Sequence, residues 1–266
     1  MASDGQRTSE THGGLTVEEK RQFILAALPK MTRHTFPYVC SVFGVVDAKT
    51  GRHCGSGLRW MVNGRRAVVT ALHVIDQAKR EPGGVAVSTG YSQKPYLVHG
   101  EINIDPVADL AVYFLPDDYP CDNMAFWPPN RIDRAQENIS TDYLFLHGFP
   151  GSHSYSSQLL QGVVNKSLPY GAMQRLDNLP ADLGSHQFAI EYDPIGMFNE
   201  MGTSSEAVDP HGLRGSPVWR IGATGKPVRD WRPDDCLLVG IVTQWRPNEN
   251  VLIATSISKT PEQWVV

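Results

Sequence analysis

A chain of 266 residues with 41% hydrophobic and 20% charged residues can bury a sizeable core and fits one large domain or two packed halves. Its 24 glycines and 19 prolines point to many turns, closer to a β-rich protein than to a helical bundle. The net charge of −4 and pI near 6.1 supply no basic field, which argues against nucleic acid and against an anionic membrane surface as partners.

The opening stretch, MASDGQRTSETHGG, is polar and has no apolar segment behind a basic start. No run approaches the length of an uncharged membrane span, so the expected location is the cytoplasm. Cys40, Cys54, Cys121 and Cys236 are widely scattered without CxxC spacing, which favours free buried thiols over a disulfide framework. Residues 1–15 read as a flexible tail. Across LTVEEKRQFILAAL, Thr16 is a candidate cap with Glu19 three residues later, so a helix is expected there, ended by Pro29. Residues 16–35 form that helix and its lead-in.

Beyond Pro37 the texture turns to β-branched and aromatic runs. YVCSVFGVVD is followed by GLRWMV and RRAVVTAL, joined by Asn63-Gly64, a pair suited to the positive φ angles of a two-residue hairpin. Further strands are expected at VAVST, YLVHGEINI, LAVYFL, YLFLHGF, LLQGVVN, HQFAIEY, SPVWRI, CLLVGIVTQW and VLIATSI. This all-β pattern of about a dozen short strands suggests two sandwiches or barrels. Residues 116–140 carry several prolines and little periodicity, which makes them the candidate connection between halves at 36–135 and 136–266.

Three places could carry chemistry. In VVTALHVID, His73 falls just past a strand end, at a sheet rim; alone it reads as a structural histidine. In DPVADLAVYFL, Asp109 precedes an apolar strand, where an aspartate is more often a turn residue or cap; Asp105, before Pro106, looks like a turn. In HGLRGSPVW, Gly212, Gly215 and Pro217 frame a tight turn whose backbone N–H groups could converge on an anion. Alone, that too is a plain glycine turn.

Taken in order, the three resemble the trypsin-like (chymotrypsin-fold) serine peptidase family, and its leaderless bacterial branch in particular. TALH is similar to that family's Thr-Ala-x-His motif, DLAVYFL to its Asp-Leu/Ile-Ala-Val strand, and GLRGSPVW to its Gly-x-Ser-Gly-Gly/Ser-Pro-Val motif. HCGSGLRWMV and LLVGIVTQW resemble the strand before the histidine and the strand lining the specificity pocket. The resemblance spans about residues 37–258 and implies two orthogonally packed six-stranded β-barrels, after a short N-terminal helix, with the site between them. It implies His73 as general base, Asp109 as the holder of its tautomer, and Gly212 and Arg214 as oxyanion-hole donors. Val208, Thr243, Gln244 and Trp245 would belong to the substrate pocket; Val208, near the pocket base, offers no fixed acid, and Asp209 reads as a turn residue. No cofactor is implied, and the nine histidines include no HExxH or paired Cys/His spacing for a metal.

The sequence departs from the family at the nucleophile itself. Arg214 stands where the motif has serine. A guanidinium has donors but no lone pair to attack with, and loss of such a serine costs on the order of a million-fold in turnover. Ser216 lies two residues on, out of line with the oxyanion donors, and Ser204 and Ser205 fall well before the turn. The expected molecule is a serine endopeptidase fold that is inactive as written, either a natural pseudopeptidase or an inactivated variant of an active protease. The alternative is a non-enzymatic module that binds a peptide or protein through the same cleft. Secreted family members order the oxyanion loop with a newly freed N-terminus; here the loop MGTSSEAVDPHG must be ordered by other means, for which a partner is one candidate.

Overall fold

The computed structural model describes residues 17–89, 95–120, 124–135, 142–157, 162–192, 208–222 and 229–259. The expected tail, Thr16, Cys121, Ser204 and Ser205 lie outside the described residues. The first element is α1, Val17–Thr35, and it does not stop at Pro29. Proline there removes the N–H that would bond the Leu25 carbonyl, at a cost of about 3 kcal/mol relative to alanine. Tertiary burial offsets that cost: Phe23, Ala27, Leu28, Met31 and Thr35 fall on one buried face on both sides of the proline. Each large apolar side chain so buried contributes about 1.5–3 kcal/mol. The Thr35 hydroxyl closes the last turn by donating to the Met31 carbonyl at 2.9 Å.

The first sheet contains β1 (Val39–Val45), β2 (Gly51–Val62), β3 (Arg65–Ala71), β4 (Val85–Thr89), β5 (Tyr96–Leu97), β6 (Ile102–Asp105) and β7 (Leu110–Phe114), with a helix α2 (Leu72–Lys79) between β3 and β4. Asn63 and Gly64 both take positive φ, 51° and 73°, as the β2–β3 hairpin requires. The strand order is β5-β4-β1-β2-β3-β7-β6, antiparallel throughout. Its two ends, β5 and β6, belong to one stretch of chain. The Val98 N–H still bonds the Val85 carbonyl beside β4, at 2.9 Å, whereas the Glu101 carbonyl already accepts from Phe114 of β7, at 2.9 Å. Residues 96–105 therefore change partners midway and curl the sheet into a barrel of six chain segments.

The second sheet repeats this solution. It comprises β8 (Leu144–Gly148), β11 (Leu168–Ala172), β12 (Gln174–Arg175), β13 (Gln187–Glu191), β14 (Pro217–Arg220), β15 (Leu237–Arg246) and β16 (Val251–Ser256), while β9 (Ser154–Ser157) and β10 (Gly162–Asn165) make a separate hairpin. The order is β11-β8-β14-β15-β16-β13-β12. Met173 alone separates β11 from β12, and its carbonyl accepts from Glu191 of β13 at 3.1 Å. One segment again closes the sheet. The sequence reading missed β9, β11 and β12, because LPYGA carries a proline and a glycine that look like a turn. Pro169 is accommodated because β11 is a terminal strand of its sheet.

Both faces of these strands are buried, each in a different core. In β7, Leu110, Val112 and Phe114 point into the seam between the barrels, and Ala111 and Tyr113 into the first barrel. In β8 and β14, Phe145 and Trp219 join the seam, while Leu144, Leu146 and Val218 fill the second barrel. The seam also receives α1 and four buried tryptophans among the described residues, Trp60, Trp127, Trp219 and Trp231; Trp127 and Trp219 meet at 5.6 Å between ring centroids. Trp127 and Ile132, from the connecting stretch, form bridges to Trp60 and Leu238, one in each sheet. The described cysteines, Cys40, Cys54 and Cys236, are free and buried. No helix among the described residues is long and apolar enough to cross a membrane.

Candidate functional site

Strand pairing brings His73 and Asp109 together. Ala71 of β3 sits opposite Leu110 of β7, so the residues just past those positions meet at one rim. Asp109 takes a left-handed φ of 52°, which aspartate tolerates better than most side chains, and its carbonyl accepts the Leu72 N–H at 2.9 Å. The carboxylate then holds His73 twice: Oδ1 accepts the His73 backbone N–H at 3.1 Å, and Oδ2 pairs with the ring Nδ1 at 2.7 Å. Since a carboxylate only accepts, Nδ1 carries the proton and Nε2 keeps the lone pair. Nε2 is buried and has no partner among the described residues. Asp105 instead accepts from the N–H groups of Val107 and Ala108, each at 3.0 Å, and shapes the turn before Asp109.

The glycine-framed turn is fastened from the other barrel. Ser56, inside the Gly-Ser-Gly of β2, donates its N–H to the Arg214 carbonyl and its hydroxyl to the Gly212 carbonyl, both at 2.8 Å. Its Oγ also accepts the Phe149 N–H at 2.8 Å, and Thr70 Oγ1 donates to the Ser56 carbonyl at 2.7 Å. The Gly215 N–H bonds the Val242 carbonyl at 2.7 Å. This close approach demands glycine: at Gly215, φ is 84° and a Cβ would lie 2.0 Å from the Ser56 carbonyl oxygen. Gly212, at φ 97°, leaves only 2.4 Å between such a Cβ and the Gly151 nitrogen. The Leu213 and Ser216 N–H groups are spent on the carbonyls of Pro210 and Leu213. Those of Gly212 and Arg214 have no acceptor among the described residues.

A cavity of about 370 Å³ opens onto this turn, lined by His73, Asp109, Gln187, Arg214, Thr243 and Gln244. Among the described residues the Arg214 guanidinium forms no hydrogen bond and no ion pair. Ser216 is not beside it. That serine is completely buried, and its Oγ points at Gly148, where an added Cβ would come within 1.8 Å of it. Val208 and Trp245 are not part of the lining; both meet Tyr192, which donates its hydroxyl to the Val208 carbonyl at 2.7 Å and packs edge-on against Trp245 at 5.1 Å. Asp209 accepts from both the backbone and the ring of His211, at 2.9 and 2.5 Å, as a turn residue does.

Sequence reasoning passed over Gln187, Ser56 and His53. His53 packs beneath Gly212, whose added Cβ would lie 2.8 Å from its Cε1, and edge-on to Phe43 at 5.3 Å. Burial there pushes the imidazole down to about 4, outweighing a hydrogen bond to the Gly55 backbone that acts the other way. A histidine next to the Gly-Ser-Gly motif was the available signal.

No protein-family model matches the sequence, and neither does any curated protein. Solved structures do match. The chain is similar to the active form of the Rv3671c protease from M. tuberculosis at 15% identity and a TM-score of 0.52, covering 91% of this chain and 86% of that one. It is also similar to a scabies mite inactivated protease paralogue at 14% identity and a TM-score of 0.52, covering 86% and 92%. The fold is the chymotrypsin-like double barrel. At this level of identity the likeness extends to the fold alone, and the chymotrypsin-like cleft of this chain is described by its own residues.

Proposed function

We propose that this chain binds polypeptide in the cleft between its barrels and does not cleave it by the serine route. The observation that carries this reading is Arg214, whose side chain lines the same cavity as His73 and Asp109. Among the described residues no hydroxyl bonds His73 Nε2, and the Thr243 hydroxyl of the lining is donated to the Ile253 carbonyl at 3.4 Å. Ser216, buried beneath the turn, is no substitute. Catalytic loss on this fold has a parallel in the mite paralogue, whose name describes it as inactivated. The buried free thiols agree with a reducing, cytoplasmic setting.

A second reading is an active serine endopeptidase whose nucleophile has been replaced. It is favoured by the held His73–Asp109 pair and by the unspent N–H groups of Gly212 and Arg214, the arrangement an oxyanion hole needs. One experiment separates the two. The native chain and its Arg214→Ser variant are exposed to a fluorophosphonate and to a peptide library, with labelling read by mass spectrometry and binding by anisotropy. The native chain is expected to bind peptides without labelling or cleavage. Labelling and cleavage by the variant alone would favour the replaced-nucleophile reading. Fluorophosphonate-sensitive cleavage by the native chain would overturn the proposal.

A further inference from the structure

The cavity lining is rich in unspent donors and poor in unspent acceptors. Gln187 has its carbonyl oxygen taken by the Gly184 N–H at 3.0 Å, so its NH₂ is the group left to donate. Gln244 is in the same state, its oxygen held by Arg246 Nε at 3.2 Å. The guanidinium and the backbone N–H of Arg214 add further donors, as does the N–H of Gly212 two residues earlier in the turn, all without partners among the described residues. On the other side, both Asp109 oxygens are engaged by His73. Among the described residues, the buried side-chain acceptor left without a partner in this lining is Nε2 of His73.

We infer that the cleft recognises a carboxylate of its polypeptide ligand, held by the Arg214 guanidinium with help from the neighbouring amide donors; this rests on the peptide-binding reading above. A carboxylate has two oxygens with about four lone-pair sites, and its plane matches the fork of a guanidinium. Formal charge argues against a dianion: among the described lining residues one fixed cation, Arg214, stands with one anion, Asp109, so the second charge of a phosphate would face the Asp109 carboxylate. The carboxylate can come from a C-terminus or from an aspartate or glutamate side chain.

The test uses four rhodamine-labelled random hexapeptide pools, with free or amidated C-termini and with or without Asp and Glu, and reads fluorescence anisotropy. Every carboxylate-bearing pool that docks through Arg214 should bind about 10- to 100-fold more tightly than the neutral amidated pool, the usual weight of a charged hydrogen-bonded pair. Arg214→Gln should erase that difference, and Arg214→Lys, which keeps charge but not the fork, should retain part of it; matching thermal melts establish that both variants fold. Preference for the free C-terminus pool without Asp or Glu assigns the terminus, and preference for the amidated acidic pool assigns the side chain. Equal binding of all four pools overturns the carboxylate assignment and leaves peptide binding standing. If no pool binds, peptide binding falls, and a titration with N-acetylglycine followed by ¹H–¹⁵N correlation decides the rest. Saturable shifts at the Gly212 and Arg214 N–H groups, absent in Arg214→Gln, sustain the carboxylate site, and their absence in the native chain ends it.

Discussion

Acidification should destabilise this protein through a buried histidine that does not line the cleft. His147, in β8, is completely buried between Phe36 and Phe145, with ring centroids 5.9 and 5.8 Å away. The Thr35 hydroxyl is already donated to Met31, so its oxygen accepts the Nδ1 proton of His147 at 2.7 Å. That leaves Nε2 as the atom to be protonated, buried and without a partner among the described residues. Burial accordingly pushes His147 down from 6.5 to about 3. The unfolded chain takes up this proton as pH falls through 6.5, whereas the folded chain does so only near 3. The stability is therefore fully present above 6.5 and is lost on the way down, approaching about 1.4 kcal/mol per pH unit. From pH 6.5 to 4.5 the loss is about 2 kcal/mol. His147→Asn keeps an N–H near Nδ1 but cannot titrate. Urea unfolding of both proteins at pH 6.5, 5.5 and 4.5 should show the native chain losing about 2 kcal/mol relative to the variant across that range. His53 weakens both proteins alike and cancels in the difference. Parallel stability curves would refute the assignment.

Gly215→Ala should lose at least about 3 kcal/mol, combining the left-handed backbone with the 2.0 Å approach to the Ser56 carbonyl; an unchanged melting temperature would contradict the turn geometry. Ser56→Ala removes the hydroxyl shared by Gly212 and Phe149 and should cost about 2–4 kcal/mol in denaturant unfolding, with less than about 1 kcal/mol counting against a buried role. Asp109→Asn, whose replacement also tolerates the positive φ, should shift His73 from the Nδ1–H tautomer toward Nε2–H in ¹⁵N spectra, because an amide can donate to Nδ1. Retention of the original tautomer would mean that the carboxylate does not set it.

Much of this architecture is written in local pattern. Asn63-Gly64 specifies its hairpin, and the unbroken apolar run LAVYF specifies a strand buried on both faces, because turn angles and side-chain parity are properties of neighbouring residues. His73 and Asp109 stand at strand ends where each alone reads as structural; only the ordered resemblance to a known family singles them out, and antiparallel pairing of β3 with β7 brings them together. Other features depend on contacts distant in sequence. Pro29 reads as a helix end until the seam that buries Leu28 and Met31 is known. The stretch 96–105 reads as one strand, yet it serves two partners only because the sheet curls. Gln187 and Ser56 carry no motif that marks them as neighbours of Arg214; their places follow from how one barrel is set against the other.

Ser56 belongs to the first barrel, but its N–H and its hydroxyl are spent on the second. Pulling the halves apart would break the bonds to two carbonyls and an N–H, each worth about 0.5–1.5 kcal/mol once water replaces the partner. The turn loses its anchorage as soon as the halves part, so the proposed recognition requires the joined pair and should vanish in any fragment that carries only one of them.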